Sequence, residues 1–407
     1  MISGRSRQHE FAVTAVLCLT WGVVSVEYLS VGYLAPFIEP ALRLSNTQIG
    51  ILVSGFCVPF GLSSYAMGGI ADRFGKRRQL IVTFLLAFSA ASVLSGFATS
   101  FLTLLAARLL MGLLEGPILP LAQSIVALES PMERRGLNMG IVQTLGFGVL
   151  SGIAPLLLVA LAGRYGWRSG FFVVALPGLI CAGLLGVILS GRSSPAAAGQ
   201  AGAPVSTHET SGGRRPTLSL SMNIWLCCAI SVLYIMYFLT ATTYLPLFYV
   251  RVRQVPPAAM SALVSAVGVA GIVMGVIVPA LADRIGRKPT AILGSAVGLL
   301  CPVAALLYVG PLPILWLLTF IGLAPIGVST LSMATIPSES VPVQSVSKAI
   351  GLCVAAGALI GGGAGPALAG WIADRWNLRG SLLFQASCAA LMAVLALALR
   401  ETRAGHK

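Results

Sequence analysis

The chain has 407 residues, of which 57% are hydrophobic and 9% charged. Soluble domains carry roughly 25% charged residues, so a soluble globular protein is excluded. A net charge of +14 would point to nucleic acid in a soluble chain. Here the basic residues fall between long apolar runs, so the lipid bilayer is the expected partner and nucleic acid is not.

Twelve spans of ~20 residues account for the apolar fraction. They must be helical, because lipid offers no partner to unpaired backbone groups. The alternation of barrel strands is absent. The first span, at about 11–38, holds Trp21, Glu27, Tyr28 and Tyr33. It is too long for a signal peptide and lacks a small-residue cleavage pattern, so it counts as a span. The second, 47–70, is rich in Gly and Ser, which let helix backbones approach closely. It runs into GGIADRFGKRRQ at 68–79. The third to sixth are expected at 80–98, 101–128, 137–163 and 169–190. The fourth contains RLLMGLLEGPILP, Arg108 to Pro120.

A Ser, Ala, Gly and Pro-rich linker follows, without hydrophobic period. Six more spans are expected at 219–249, 258–282, 289–309, 312–336, 346–373 and 380–399, then a basic tail. The seventh carries Tyr234, Tyr237, Thr240, Thr242, Thr243 and Tyr244, and the tenth Ser329, Thr330, Ser332 and Thr335. The expected division is a first half at 1–190, a linker at 191–218 and a second half at 219–407. The fold class is all-α integral membrane, with two pseudo-symmetric six-helix halves.

Loop charges set the orientation. Lys and Arg crowd the side that carries the N-terminus. The opposite side holds only Arg43, Arg164, Arg168, Arg251, Arg253, Arg375 and Arg379. The positive-inside rule then puts both termini and the linker in the cytoplasm of a cell with the chain in its inner (plasma) membrane.

The eight cysteines sit in apolar runs without ligand spacing and read as packed side chains. His9, His208 and His406 lie outside the spans, and no nucleophile, metal or phosphate-loop constellation appears. No enzyme, metal or cofactor is expected, and an ATP-driven pump is excluded. The two-half repeat and the lack of charged rings argue against a channel.

The two halves align without gaps at several places. ADRFGKR at 71–77 matches ADRIGRK at 282–288, an offset of 211. The same offset takes Gly116 to Gly327, Pro131 to Pro342, Gly152 to Gly363, Pro155 to Pro366 and Arg168 to Arg379. One shift kept across Gly, Pro and charged positions means one backbone plan used twice, with the function between the halves near the midplane.

Three ionisable residues are expected within the spans: Glu27, Arg108 and Glu115. A charge at a helix centre costs at least ~2.5 kcal/mol on insertion scales, so a chain that keeps three has a use for them. Arg108 and Glu115 are seven apart, two turns along one face, with Gly112 between. At the 211 offset stand Thr319 and Ile326, so the chemistry is asymmetric on a symmetric frame. Glu115 and Glu27 are candidates to take up a proton, and Arg108 to anchor an anion through its fork. A structural ion pair between packed helices is the plain alternative.

The two halves, the linker and G-x-x-x-D-R-x-G-x-R-R after the second span together resemble the major facilitator superfamily. The motif is carried by Gly68, Asp72, Arg73, Gly75, Arg77 and Arg78, with a second copy at Asp283, Arg284, Gly286 and Lys288. The resemblance covers the whole chain. It implies a cavity lined by the first, fourth, seventh and tenth helices, and a gate at the motif. There the arginines would pair with acids such as Glu129, Glu133 and Glu339. Arg108, Gly112, Glu115, Gly116, Pro117 and Pro120, then Pro131, Glu133, Arg134 and Gly136, then Gly166, Trp167, Arg168 and Phe171, resemble the anion:cation symporter branch. Where that branch has an Asp-Arg pair in the first span, this chain has Glu27 and Tyr28. The resemblance implies a monomeric secondary transporter of a small organic anion, a carboxylate or sugar acid, driven by protons. Tyr28, Tyr234, Tyr237 and Tyr244 would join Arg108 around the substrate, the three tyrosines of the seventh span lining one face. A drug or metabolite exporter of the same superfamily is the alternative.

Overall fold

The computed structural model of the chain describes residues 7–74, 76–189, 222–342 and 345–402, apart from the side chains of 68–74 and 347. The linker at 191–218 lies outside the described residues. So do the side chains of Gly68, Asp72 and Arg73 and all of Gly75 in the first motif copy.

Among the described residues, twelve helices are long and apolar enough to cross a membrane. They are α1 (Arg7–Leu42), α2 (Asn46–Met67), α3 (Arg77–Gly96), α4 (Phe101–Glu129), α5 (Met132–Tyr165) and α6 (Arg168–Ile188) in the first half. The second half holds α7 (Met222–Arg251), α8 (Pro257–Ile285), α9 (Arg287–Leu307), α10 (Leu312–Glu339), α11 (Lys348–Trp376) and α12 (Leu378–Leu397). Among the described residues there is no strand. The spans read from the sequence all appear.

α1 is longer than its apolar run, and this corrects one expectation. Glu10 and Glu39 also lie within it and are buried. Each tolerates burial because a partner reaches it. Arg134 pairs with Glu10 at 2.8 Å, helped by the Asn138 amide at 2.8 Å. Arg251 pairs with Glu39 from α7.

α1 and α7 are the most enclosed helices, 61% buried against 39–50% for the other ten. They form the middle of the molecule. The halves meet along two lateral seams, α2 against α11 and α5 against α8. On the second seam the backbones touch. A Cβ on Gly268 would fall 2.0 Å from the Gly152 nitrogen, so only glycine fits.

α4 and α10 are both interrupted. α4 is helical over Phe101–Glu115 and Ile118–Glu129, parted at Gly116 and Pro117. Proline lacks the N–H that would continue the ladder. α10 breaks at Leu323 and Ala324, just before Pro325, and widens to a π-helix over Leu331–Thr335. α5 and α11, fifth in their halves, carry π-helical stretches at Ile141–Leu145 and Gly357–Gly362. The repeat thus places irregular turns in equivalent helices.

Candidate substrate and proton site

α4 brings Arg108 and Glu115 inward, 1% and 0% exposed. It packs closely on α2: a Cβ on Gly112 would lie 2.2 Å from the Phe56 carbonyl oxygen. This glycine lets the helix carrying two charges sit against its neighbour.

Arg108 and Glu115 do not pair as a unit within α4. The Arg108 Nη1 donates to Glu27 Oε1 on α1 at 3.0 Å, and to the Glu27 carbonyl at 3.4 Å. Its guanidinium lies 4.7 Å from the Phe56 ring centroid, a cation–π distance. Ser92 of α3 adds a hydroxyl 3.2 Å from Glu27 Oε2, and also donates to the Phe171 carbonyl at 2.8 Å. Both residues of the ion pair are enclosed, so the desolvation of two charges is offset only by these contacts. Ser92 is a contact that sequence reading missed, since nothing in α3 distinguishes it from other span serines.

Glu115 is different. Neither carboxyl oxygen has a hydrogen-bond partner among the described residues. It lies within electrostatic reach of Arg108, Glu27 and Tyr28. A buried carboxylate without hydrogen bonds is costly, and a protonated one much less so.

Aromatic rings continue from this point across the boundary between the halves. Tyr28 packs on Phe56 and Phe60, at 5.1 and 6.3 Å between centroids. Its hydroxyl is 4.0 Å from the Cys57 sulfur. Tyr234 of α7 stacks on Phe238 at 6.0 Å, and Phe238 meets Phe147 of α5 at 6.3 Å.

Two of the seventh-span tyrosines spend their hydroxyls on backbone carbonyls. The Tyr237 hydroxyl bridges the Gly322 carbonyl at 2.7 Å and the Gly298 carbonyl at 3.0 Å. Gly322 lies at the break in α10, and Gly298 at a break in α9, which is helical over Arg287–Val297 and Leu300–Leu307; such carbonyls lack a helical donor. The Tyr244 hydroxyl donates to the carbonyls of Pro366 at 2.9 Å and Asn46 at 3.1 Å. It thereby ties α7 to α11 and α2.

Several polar contacts between the halves lie on the face opposite the one where α1 begins. Asp374 at the end of α11 accepts from the N–H groups of Asn46 and Thr47 at 2.9 and 2.8 Å, and from both side chains. It caps the N-terminus of α2, where a carboxylate satisfies free amides and meets the positive helix end. The Glu39–Arg251 pair and the Tyr244 bonds lie on the same face.

In the second motif copy Arg287, which the motif pattern leaves unspecified, is paired with acids. It bonds Glu339 at 2.9 Å and Asp283 across one helical turn. Glu401 accepts from the N–H groups of Arg287 and Lys288 at 2.9 and 3.1 Å. These contacts join α8, α9, α10 and the segment after α12, all in the second half.

The sequence model of the Major Facilitator Superfamily matches residues 11–358. The chain belongs to that superfamily. The twelve helices, the duplicated half and the motif copies are then those of a multi-pass secondary transporter, not of an enzyme.

A probable sulfoacetate transporter of Cupriavidus necator is 31% identical over 163 residues, 40% of this chain and 37% of that protein. A probable 4-methylmuconolactone transporter of Cupriavidus pinatubonensis is 27% identical over 297 residues, 70% of this chain and 66% of that one. The hexuronate transporter of Bacillus subtilis is 30% identical over 151 residues, 36% of this chain and 35% of that one. The chain thus spans less than two thirds of each of these curated relatives.

Solved superfamily structures superpose along nearly the whole length. A bacterial homologue of the lysosomal transporter Spinster, inward-facing and occupied, gives a TM-score of 0.77 at 19% identity, covering 97% of both chains. A D-xylose-proton symporter gives 0.77 at 18% identity, covering 97% of this chain and 98% of that one. At such identities the likeness is one of fold.

Proposed function

We propose that this superfamily member moves a small organic anion, a carboxylate or sugar acid, by proton-coupled alternating access. The observation that carries the reading is the buried Arg108–Glu27 pair with Glu115 two turns along α4. An arginine fork suits one carboxylate at a time. In this reading Glu27 holds Arg108 in the empty transporter. A proton on Glu27 ends its claim, and the substrate carboxylate takes its place. Glu115 takes a second proton, which leaves it neutral in its enclosed position. Proton and anion are then carried together because each makes room for the other. Sulfoacetate and hexuronate, named for two of the relatives, are anions of this kind.

The rest of the proposal concerns geometry. The rocking bodies are residues 1–190 and 219–407, joined by the 191–218 linker. Both termini lie in the cytoplasm, following the basic loops. The Asp374, Tyr244 and Glu39 contacts close the outer face, so the chain stands in an inward-facing state. The DR-G motif copies close the other face when the halves rock. The transporter works as a monomer in the plasma membrane. One relative, a multidrug resistance protein of Proteus mirabilis at 35% identity over 136 residues, keeps an exporter as the second reading.

Uptake of candidate acids into proteoliposomes, with and without an inward proton gradient, tests the reading. Gradient-driven uptake is expected in the wild type, with loss of gradient dependence in Glu27→Gln/Glu115→Gln. Arg108→Lys should weaken substrate affinity and Arg108→Ala nearly abolish it. Unchanged affinity in Arg108→Ala would remove the anion anchor from the scheme.

A further inference from the structure

Ser89, Ser92 and Ser95 follow one another at intervals of three along α3, and all are buried. Ser89 and Ser95 donate back to their own helix, to the carbonyls of Leu85 at 2.9 Å and Ala91 at 3.1 Å. That is the ordinary use of a serine hydroxyl inside a helix. Ser92 forgoes it. Both of its contacts leave α3, one for the Phe171 carbonyl on α6 at 2.8 Å and one for Glu27 Oε2 on α1 at 3.2 Å.

A hydroxyl has one proton to give and two lone pairs to receive with. Ser92 therefore serves one of its two acceptors at a time. Phe171 lies within α6, where the helix supplies its carbonyl with a donor four residues on, so Ser92 can turn away without orphaning it. Glu27 Oε2 has no such reserve. Arg108 is engaged with Oε1 and with the Glu27 carbonyl, and the Ser92 hydroxyl is the donor that Oε2 has among the described residues.

We propose that Ser92 is the positioning residue for a proton on Glu27, turning its hydroxyl between two settings as the carboxyl changes charge. With Glu27 ionised, the Ser92 proton points at Oε2. With Glu27 protonated on Oε2, the carboxyl donates to the Ser92 oxygen and Ser92 donates to the Phe171 carbonyl. Neither setting leaves Oε2 bare, and neither side chain has to leave its place. This rests on the reading of Glu27 as a proton carrier and adds the group that sets where in pH it titrates. The charged groups that face Glu27 are Arg108 and Glu115, both from α4. Tyr28 is next to it on α1, with Cys57 of α2 beside the Tyr28 hydroxyl. Among the described residues α3, α5, α6 and α7 set no charged side chain against it.

Infrared difference spectra of the purified full-length chain, between acid and alkaline buffer and with no substrate, test the proposal. The carboxyl band that Glu27→Gln removes reports the Glu27 proton. Ser92→Ala takes a charge-assisted hydrogen bond from the ionised form and a weaker one from the neutral form, so the proton is held to higher pH. The midpoint of the band is expected to rise by roughly one-half to one pH unit. Ser92→Thr, which keeps the hydroxyl, should hold the wild-type midpoint. An unmoved midpoint in Ser92→Ala, or the same rise in Ser92→Thr, overturns the positioning role and leaves the proton reading of Glu27 standing. Absence of any titrating band that Glu27→Gln removes overturns both.

Discussion

Asp374 and Thr47 are 327 positions apart in the chain, yet the aspartate receives both the N–H and the hydroxyl of the threonine. This contact, with its companion at Asn46, fastens one half to the other across a single face. An aspartate capping a helix end is a reversible fastening. It is strong while the helix end is in register and lost once the halves separate by a few ångströms.

Asp374→Ala should therefore loosen that face without unfolding either half. Hydrogen bonds to a charged group contribute ~1.5–3 kcal/mol each at best, and less at an exposed site. A population shift of roughly tenfold, equivalent to ~1.4 kcal/mol, is expected. Spin labels at Ala41 and Val252, exposed positions beside the Glu39–Arg251 pair, would report it as a longer distance population. Identical distance distributions in mutant and wild type would show that the cap does not hold the halves.

Arg108 and Glu27 should behave as a unit. Removing one member of a buried pair leaves an unpaired charge and costs ~3–5 kcal/mol. Glu27→Leu and Arg108→Leu should each lower the unfolding temperature in detergent. The double substitution should be less damaging than the sum. Additive losses would mean that the two charges do not interact in the folded state.

Glu115→Gln should separate stability from coupling. The wild-type carboxyl has no hydrogen-bond partner to lose among the described residues. Its amide isostere should thus be stable to within ~1 kcal/mol of the wild type. Uptake should persist with a flattened dependence on pH. A large fall in stability would point to a structural contact at Glu115 instead.

Gly112→Val should damage folding more than its modest size suggests. The added atoms would meet the Phe56 backbone, which has no rotamer to yield. Overpacking costs ~1–3 kcal/mol in general, and a backbone neighbour puts this case at the upper end. Reduced recovery of monodisperse protein, compared with Gly136→Val where no atom lies within 4 Å, would confirm it.

The repeat explains why so much of the architecture was legible. Pairs such as Pro155 and Pro366, or Arg168 and Arg379, carry the duplicated plan in local sequence, and apolar length sets the spans. The partners of the charges were not legible in the same way. Glu27 and Arg108 are 81 positions apart, and their meeting depends on how α1 leans on α4. Glu10 and Glu39 fall outside the first span as read from sequence because the apolar run starts after the one and ends before the other. They are helical because Arg134 and Arg251 arrive from elsewhere. Tyr237 and Tyr244 read as cavity side chains by residue type. Their hydroxyls instead answer backbone carbonyls freed by helix breaks that only the three-dimensional fold reveals.

The wide turns in α5, α10 and α11 have a mechanical consequence. A π-helical stretch holds one residue more than the ladder requires, and that surplus can pass to the adjoining turn without breaking the helix as a whole. Each such transfer turns the residues it passes by about 100°, one residue's worth of helical twist, and leaves those beyond it in register. Stretches Leu331–Thr335 and Gly357–Gly362 follow or adjoin the helix portions that touch α7. The second half thus has a means to re-aim the side chains it presents to the ring cluster while Asp374 stays seated on α2. Substrate fit and closure of the halves would then be adjusted by separate parts of the same helices, the one by corkscrew, the other by clasp.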